Sequence, residues 1–135
     1  MTIRLSIAAR NAALNAVAAR VDNGASNGTL KIYTGSQPAN ADTAASGTLL
    51  VTIALADPSF ESPATGVMAM DADPDLTGTA VATGTAGWAR VADSDSNSVY
   101  DGTVGTSGVD FTINTTSIVT GQVITLATSA LTFPV

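Results

Sequence analysis

Residues 49–55, Leu49-Leu50-Val51-Thr52-Ile53-Ala54-Leu55, alternate along their length. Leu49, Val51, Ile53 and Leu55 fall on one face, and Leu50, Thr52 and Ala54 on the other. A period of two belongs to an extended strand with one buried side. The same alternation returns in Leu30-Lys31-Ile32-Tyr33, and where Val109, Phe111 and Ile113 interleave with Asp110, Thr112 and Asn114. Shorter β-rich stretches cover Gly66–Met70, Thr77–Thr83, Trp88–Ala92, Ser98–Tyr100, Gln122–Thr128 and Leu131–Val135. Between them stand turn dipeptides: Asn27-Gly28, Asp57-Pro58, Asp101-Gly102, Ser107-Gly108 and Thr120-Gly121. About eight short strands at this spacing predict a mainly β fold, a single antiparallel β-sandwich (jelly-roll-like) or a barrel.

One segment breaks the β pattern. Ser6 to Asp22 is alanine-rich, lacks Gly and Pro, and places Leu14, Val17 and Val21 at i, i+3 and i+7. Ser6 is the expected N-cap and Asp22-Asn23-Gly24 the stop. The expected organisation is an N-terminal Ala-rich helix or arm over residues 1–24 and a β domain over 25–135. The helix either covers one end of the β domain or serves as an arm for oligomer contact. Gly35–Gly47, Asp57–Pro63 and Asp71–Asp75 are expected loops.

Composition narrows function before any motif does. Histidine and cysteine are absent, and Lys31 is the sole lysine. The groups that most often activate nucleophiles or shuttle protons near neutral pH are thus missing or nearly so. With 45% apolar and 12% charged residues, the 135-residue chain is predicted to fold as one domain rather than stay disordered. Much of the apolar content is alanine, so the core is thin and further burial against neighbouring molecules would help. The net charge is −6, and five scattered basic residues cannot track a phosphate backbone, so no nucleic acid is expected as partner. No run of about 18 apolar residues occurs, so no membrane span is expected either. Ile7–Val21 is interrupted by Arg10, Asn11, Asn15 and Arg20, which breaks the apolar stretch of a signal peptide.

Few constellations suggest chemistry. The acids Asp57, Asp71, Asp73, Asp75, Asp93, Asp95 and Asp101 sit in turn-like stretches, where carboxylates usually cap backbone groups. Asp93-Ser94-Asp95-Ser96-Asn97 opens like a calcium loop, which makes Asp93, Asp95 and Asn97 candidate metal ligands. The pattern then fails, with Ser98 where Gly belongs and Val104 where Glu belongs. A second acidic cluster, Asp71-Ala72-Asp73-Pro74-Asp75, has the donors for a hard cation. No catalytic residue, cofactor or enzymatic activity is expected. Trp88, the sole tryptophan, reads as a core or interface anchor.

A longer string carries a resemblance. Gly84-Thr85-Ala86-Gly87-Trp88-Ala89-Arg90-Val91-Ala92-Asp93-Ser94 is followed by Asp101-Gly102-Thr103-Val104-Gly105-Thr106-Ser107-Gly108-Val109-Asp110, then by Asn114-Thr115-Thr116-Ser117-Ile118 and Ala130-Leu131-Thr132-Phe133-Pro134-Val135. Ile32-Tyr33-Thr34-Gly35-Ser36-Gln37-Pro38 and Gly47-Thr48-Leu49-Leu50 lie upstream. From about Lys31 to Val135 the chain resembles small structural proteins encoded by tailed bacteriophages and prophages among their virion genes. The resemblance brings no catalytic motif. It implies a virion component, which the composition narrows to a capsid decoration or cement protein on the outer capsid surface. Its expected partners are the major capsid protein and further copies of itself, as a dimer or trimer. The alternative is a tail, baseplate or fibre component with a host-surface or carbohydrate contact. A free-standing carbohydrate-binding module fits less well, because only six aromatic residues exist. Expected contact residues are Arg4, Arg10, Leu14, Val17 and Arg20 of the N-terminal segment, together with Trp88. That segment holds three of the five basic residues beside an acidic body, which suits a docking arm on an acidic surface.

Overall fold

The computed structural model describes residues 2–73, 75–127 and 129–134. It is mainly β with one helix, and the principal sheet curls into a half-barrel, as the alternation predicted. Helix α1 spans Ile7–Val21; its N-cap is Ser6, whose Oγ accepts the Ala9 N–H at 3.2 Å. The chain leaves the helix through Gly24 at φ +109°, a conformation glycine adopts without penalty.

Strands β1 (Thr29–Thr34), β2 (Leu49–Ala54), β5 (Gly84–Ala92), β6 (Ser98–Gly105) and β7 (Phe111–Thr112) form the main sheet in the order β2-β1-β5-β6-β7. The short β8 (Ser117–Ile118) pairs with the start of β5. Pairing is antiparallel except between β6 and β7, which run parallel. Two small ribbons complete the fold. β3 (Val67–Ala69) pairs with β10 (Ala130–Thr132), and β4 (Thr77–Thr79) pairs with β9 (Val123–Thr125).

Register assigns each side chain to a face. Leu30 and Ile32 oppose Ile53 and Val51 on one side and Val91 and Ala89 on the other, and all six are fully buried. Lys31 and Tyr33 point the other way, beside Arg90 and Trp88. One expectation about β2 fails. Leu50, assigned with Thr52 and Ala54 to the polar face, has no exposed surface. The register slips between Ile32 and Tyr33, so Leu50 is the extra residue of a bulge and turns inward over Gly84.

Helix and sheet share one core. Leu14 and Val21 have no exposed surface and belong to the same apolar cluster as Leu30, Ile53, Met68 and Ile124. The buried helix face is Leu14, Ala18 and Val21, while Val17 is half-buried at its border. The helix end is fastened by side chains: Asp22 Oδ1 accepts the Ser59 N–H at 3.0 Å, and Asn23 Nδ2 donates to Asp93 Oδ2 at 3.1 Å. Near its start, Asn11 Oδ1 accepts the Gly66 N–H at 2.9 Å. Among the described residues no helix is long and apolar enough to cross a membrane.

Candidate functional site

The outer face of the sheet carries a buried ion pair beside two stacked aromatic rings. Arg90 and Asp101 are cross-strand partners and make a bidentate pair, Nε to Oδ1 at 2.7 Å and Nη2 to Oδ2 at 2.8 Å. Their side chains are only 10% and 4% exposed. The hydrogen bond to Asp101 raises the Arg90 pKa further, so the guanidinium is permanently charged. Trp88 lies beside this pair. Its ring stacks on Tyr33 with centroids 4.7 Å apart, and the Arg90 guanidinium carbon sits 5.3 Å from the ring centroid. Burial raises the Tyr33 hydroxyl pKa.

The loop at residues 35–48 closes over this face. Ser98 Oγ donates to the Ala41 carbonyl at 2.6 Å, and the Gly35 carbonyl rests on Gly87, where any Cβ would collide with it. The field of Asp42, on the same loop, also favours the charged form of Arg90. Trp88 is therefore an internal anchor with no exposed surface, not the exposed contact residue that the sequence suggested. The cluster holds a loop to a sheet; its charges are spent on each other.

The Asp93–Asn97 stretch is also internally satisfied. Asp93 is 1% exposed. Its Oδ1 accepts the N–H groups of Asp95 and Asn97 at 3.0 and 2.8 Å, and its Oδ2 accepts from Nδ2 of Asn97 and Asn23 at 2.9 and 3.1 Å. These bonds, led by the Asn97 amide, hold the Asp93 pKa at about 2. Four N–H donors occupy the carboxylate that a cation would need. Asp57, Asp71, Asp73 and Asp75 border a hollow of about 320 Å³ beside Leu55 and Leu76. Neither there nor elsewhere among the described residues do three acidic side chains gather as metal ligands.

The N-terminal contact residues separate. Leu14 is buried in the core and cannot meet a partner. Val17 is half-buried, Arg20 is exposed in the last helical turn, and the Arg10 guanidinium lies against Gly66. Arg4 is exposed on a short segment that precedes the helix. Beside it Ile3 is 81% exposed, Leu5 42% and Ile7 51%. The free arm is therefore Thr2–Ser6, much shorter than residues 1–24, because the helix itself is tied into the core.

Two surfaces escaped the sequence reading. The alternation of Ile3, Leu5 and Ile7 with Thr2, Arg4 and Ser6 was visible in the sequence as a period of two. The second is a patch of Val81, Val119 and Val123, at 65%, 57% and 56% exposure. Its loops are joined by the Ala80 N–H to the Gln122 carbonyl and by Thr83 to Thr120. Valines that alternate in β-rich stretches look like core until the pairing is known. No family model, curated protein or solved structure matches this chain.

Proposed function

We propose that this chain is a structural subunit of a tailed-phage virion, a capsid decoration protein that bridges capsomers on the outer capsid surface. Its partners in this reading are the major capsid protein and further copies of itself. One observation carries the assembly role: the arm and the first helical residue present Ile3, Leu5 and Ile7 to solvent around Arg4, at 81%, 42% and 51% exposure. Scattered single apolar residues are ordinary on a surface, but a contiguous group in a sparsely charged chain marks a contact. The valine patch supplies a second surface, and a bridging subunit needs two. The phage context rests on the sequence resemblance.

The mechanism is linkage. Each copy gains buried area only on the assembled shell, so shell stability rises with occupancy. Repetition over a symmetric lattice turns a modest contact into a tight one.

The test uses purified heads and tails from a phage encoding the chain. The protein is expected to sediment with heads, and heads stripped of it are expected to rupture at lower temperature. Re-addition of the full chain restores them, whereas a chain lacking Thr2–Ser6 does not. Co-sedimentation with tails, or equal survival of stripped and intact heads, overturns the reading.

A further inference from the structure

The arm and one seam of the fold match in pattern. Thr2–Ser6 lies outside any helix or strand, and Ser6 has extended backbone at φ −65°, ψ 160°. Its order is polar, apolar, basic, apolar, polar: Thr2, Ile3, Arg4, Leu5, Ser6. Such a segment has a strand's alternation without a strand's partner.

The seam lies between β6 and β10. β6 pairs with β5 along one edge, but on its other edge, among the described residues, β7 meets only Val104 and Gly105. Among the described residues, β10 pairs with β3 alone. Open strand edges are templates for a further strand. A groove of about 70 Å³ separates the two, with Tyr100, Phe111 and Leu131 among its lining and Asp110 on its border. That is roughly five times the space one water needs, enough to seat a side chain. The floor is apolar: Tyr100 and Leu131 pack on the core, and the Tyr100 and Phe111 rings stack 6.1 Å apart. The border is acidic. Asp110 is exposed and uses one oxygen, Oδ2, to accept from the Thr103 N–H and hydroxyl at 2.8 and 2.7 Å.

Register makes the match specific. On β6, Tyr100 opposes Val91 on the core side, while Asp101 opposes Arg90 on the outer side. A strand laid along this edge sends alternate residues to the apolar floor and to the acidic border. The arm offers Leu5 and Arg4 in that alternation. Charge agrees: Thr2–Ser6 holds Arg4 and no acid, a net of +1, whereas residues 7–135 hold Arg10, Arg20, Lys31 and Arg90 against eleven acids, a net of −7. The arm of one molecule is thus attracted to the body of another although both molecules are acidic.

We propose that Thr2–Ser6 of one copy adds as a strand in the seam between β6 and β10 of a second copy, with Leu5 seated against Tyr100, Phe111 and Leu131 and Arg4 facing Asp110. This inference rests on the reading above that the chain works by assembly, and it names the arm's acceptor as a second copy. Reciprocal exchange closes a dimer, and one-way exchange makes a ring or chain.

The absence of cysteine from the sequence permits a clean test. Leu5→Cys and Ala130→Cys are made in separate full-length chains, mixed and oxidised; Ala45→Cys, an exposed position on the 35–48 loop, replaces Ala130→Cys in the control. A covalent band of twice the monomer mass is expected from Leu5→Cys with Ala130→Cys and not from the control. Sedimentation of the unmodified chain is expected to show a concentration-dependent oligomer that Arg4→Glu dissolves, with the melting temperature unchanged at dilutions where both chains are monomeric. A monomer at every concentration, or equal bands in both mixtures, overturns the inference. So does a double variant that cross-links only within one chain, since the arm then fills its own seam. Failure of the cross-link alongside arm-dependent head binding sinks the exchange and leaves the decoration role standing. A cross-link without any head binding does the reverse.

Discussion

The outer sheet face beneath the 35–48 loop and the N-terminal arm invert the usual distribution of side chains. The sheet face hides a charged pair, Arg90 and Asp101, at 10% and 4% exposure, while the arm leaves Ile3 81% exposed. Burial of charge is tolerated where geometry satisfies it: two short hydrogen bonds, a stacked indole and a covering loop surround Arg90. Exposure of isoleucine persists where the chain offers nothing to cover it. The first region pairs its charges within the molecule, although the buried Trp88 indole N–H finds no partner among the described residues, and the second region is left to complete its contacts outside the molecule.

The contrast can be broken from the buried side first. Trp88→Ala removes the largest fully buried side chain together with its stack on Tyr33, and is expected to cost about 3–5 kcal/mol in urea unfolding followed by circular dichroism. Asp101→Ala strands the Arg90 guanidinium under the loop, with an expected loss of about 3 kcal/mol. The double replacement Arg90→Met with Asp101→Leu is expected to cost less than Asp101→Ala alone, because no uncompensated charge remains buried. Equal losses in the single and double variants would show that the pair contributes packing rather than charge.

The Asp93 turn sharpens the comparison through pH. Its folded pKa, about 2, lies below the ordinary 3.8. The stability it confers is therefore complete above about pH 4, where the unfolded carboxyl is also ionised, and is lost as pH falls through 2. The gap in melting temperature between wild type and Asp93→Asn is expected to narrow over that window. A constant gap would mean that the carboxylate charge is not what the turn uses.

Smaller effects are expected toward the arm. Ser6→Ala removes the N-cap acceptor of the Ala9 N–H, with an expected cost of about 1 kcal/mol in thermal melts. Ile3→Asp changes an exposed site outside the core and is expected to move stability by less than about 0.5 kcal/mol. The same substitution is expected to abolish arm-dependent self-association in sedimentation. Stability and assembly thus separate, with Trp88 and Asp101 governing the first and Ile3 and Arg4 the second.

Legibility in the sequence followed the range of the interactions. Helix α1 was readable to within a residue, because Ser6 caps locally and Gly24 ends the run locally. Leu30–Tyr33 was readable because alternation is set by the pleat. Leu50 was not, since its bulge exists only against β1, whose register slips there. Val81, Val119 and Val123 were not, because their exposure depends on how the β4 and β9 ribbon sits. Asp93 was legible as a turn acid, but its four donors include Asn23, 70 residues away in sequence.

The sequence by itself determined the β pattern, the capped helix, the absence of histidine and cysteine, and a basic N-terminus on an acidic body. Those properties are local or additive, and neighbouring residues suffice to read them. Only the tertiary structure decided that Leu14 and Trp88 are interior, that Arg90 meets Asp101 under a loop, and that a seam stays open between β6 and β10. Each of these depends on which distant segments pair, and burial is a property of that pairing rather than of any residue type.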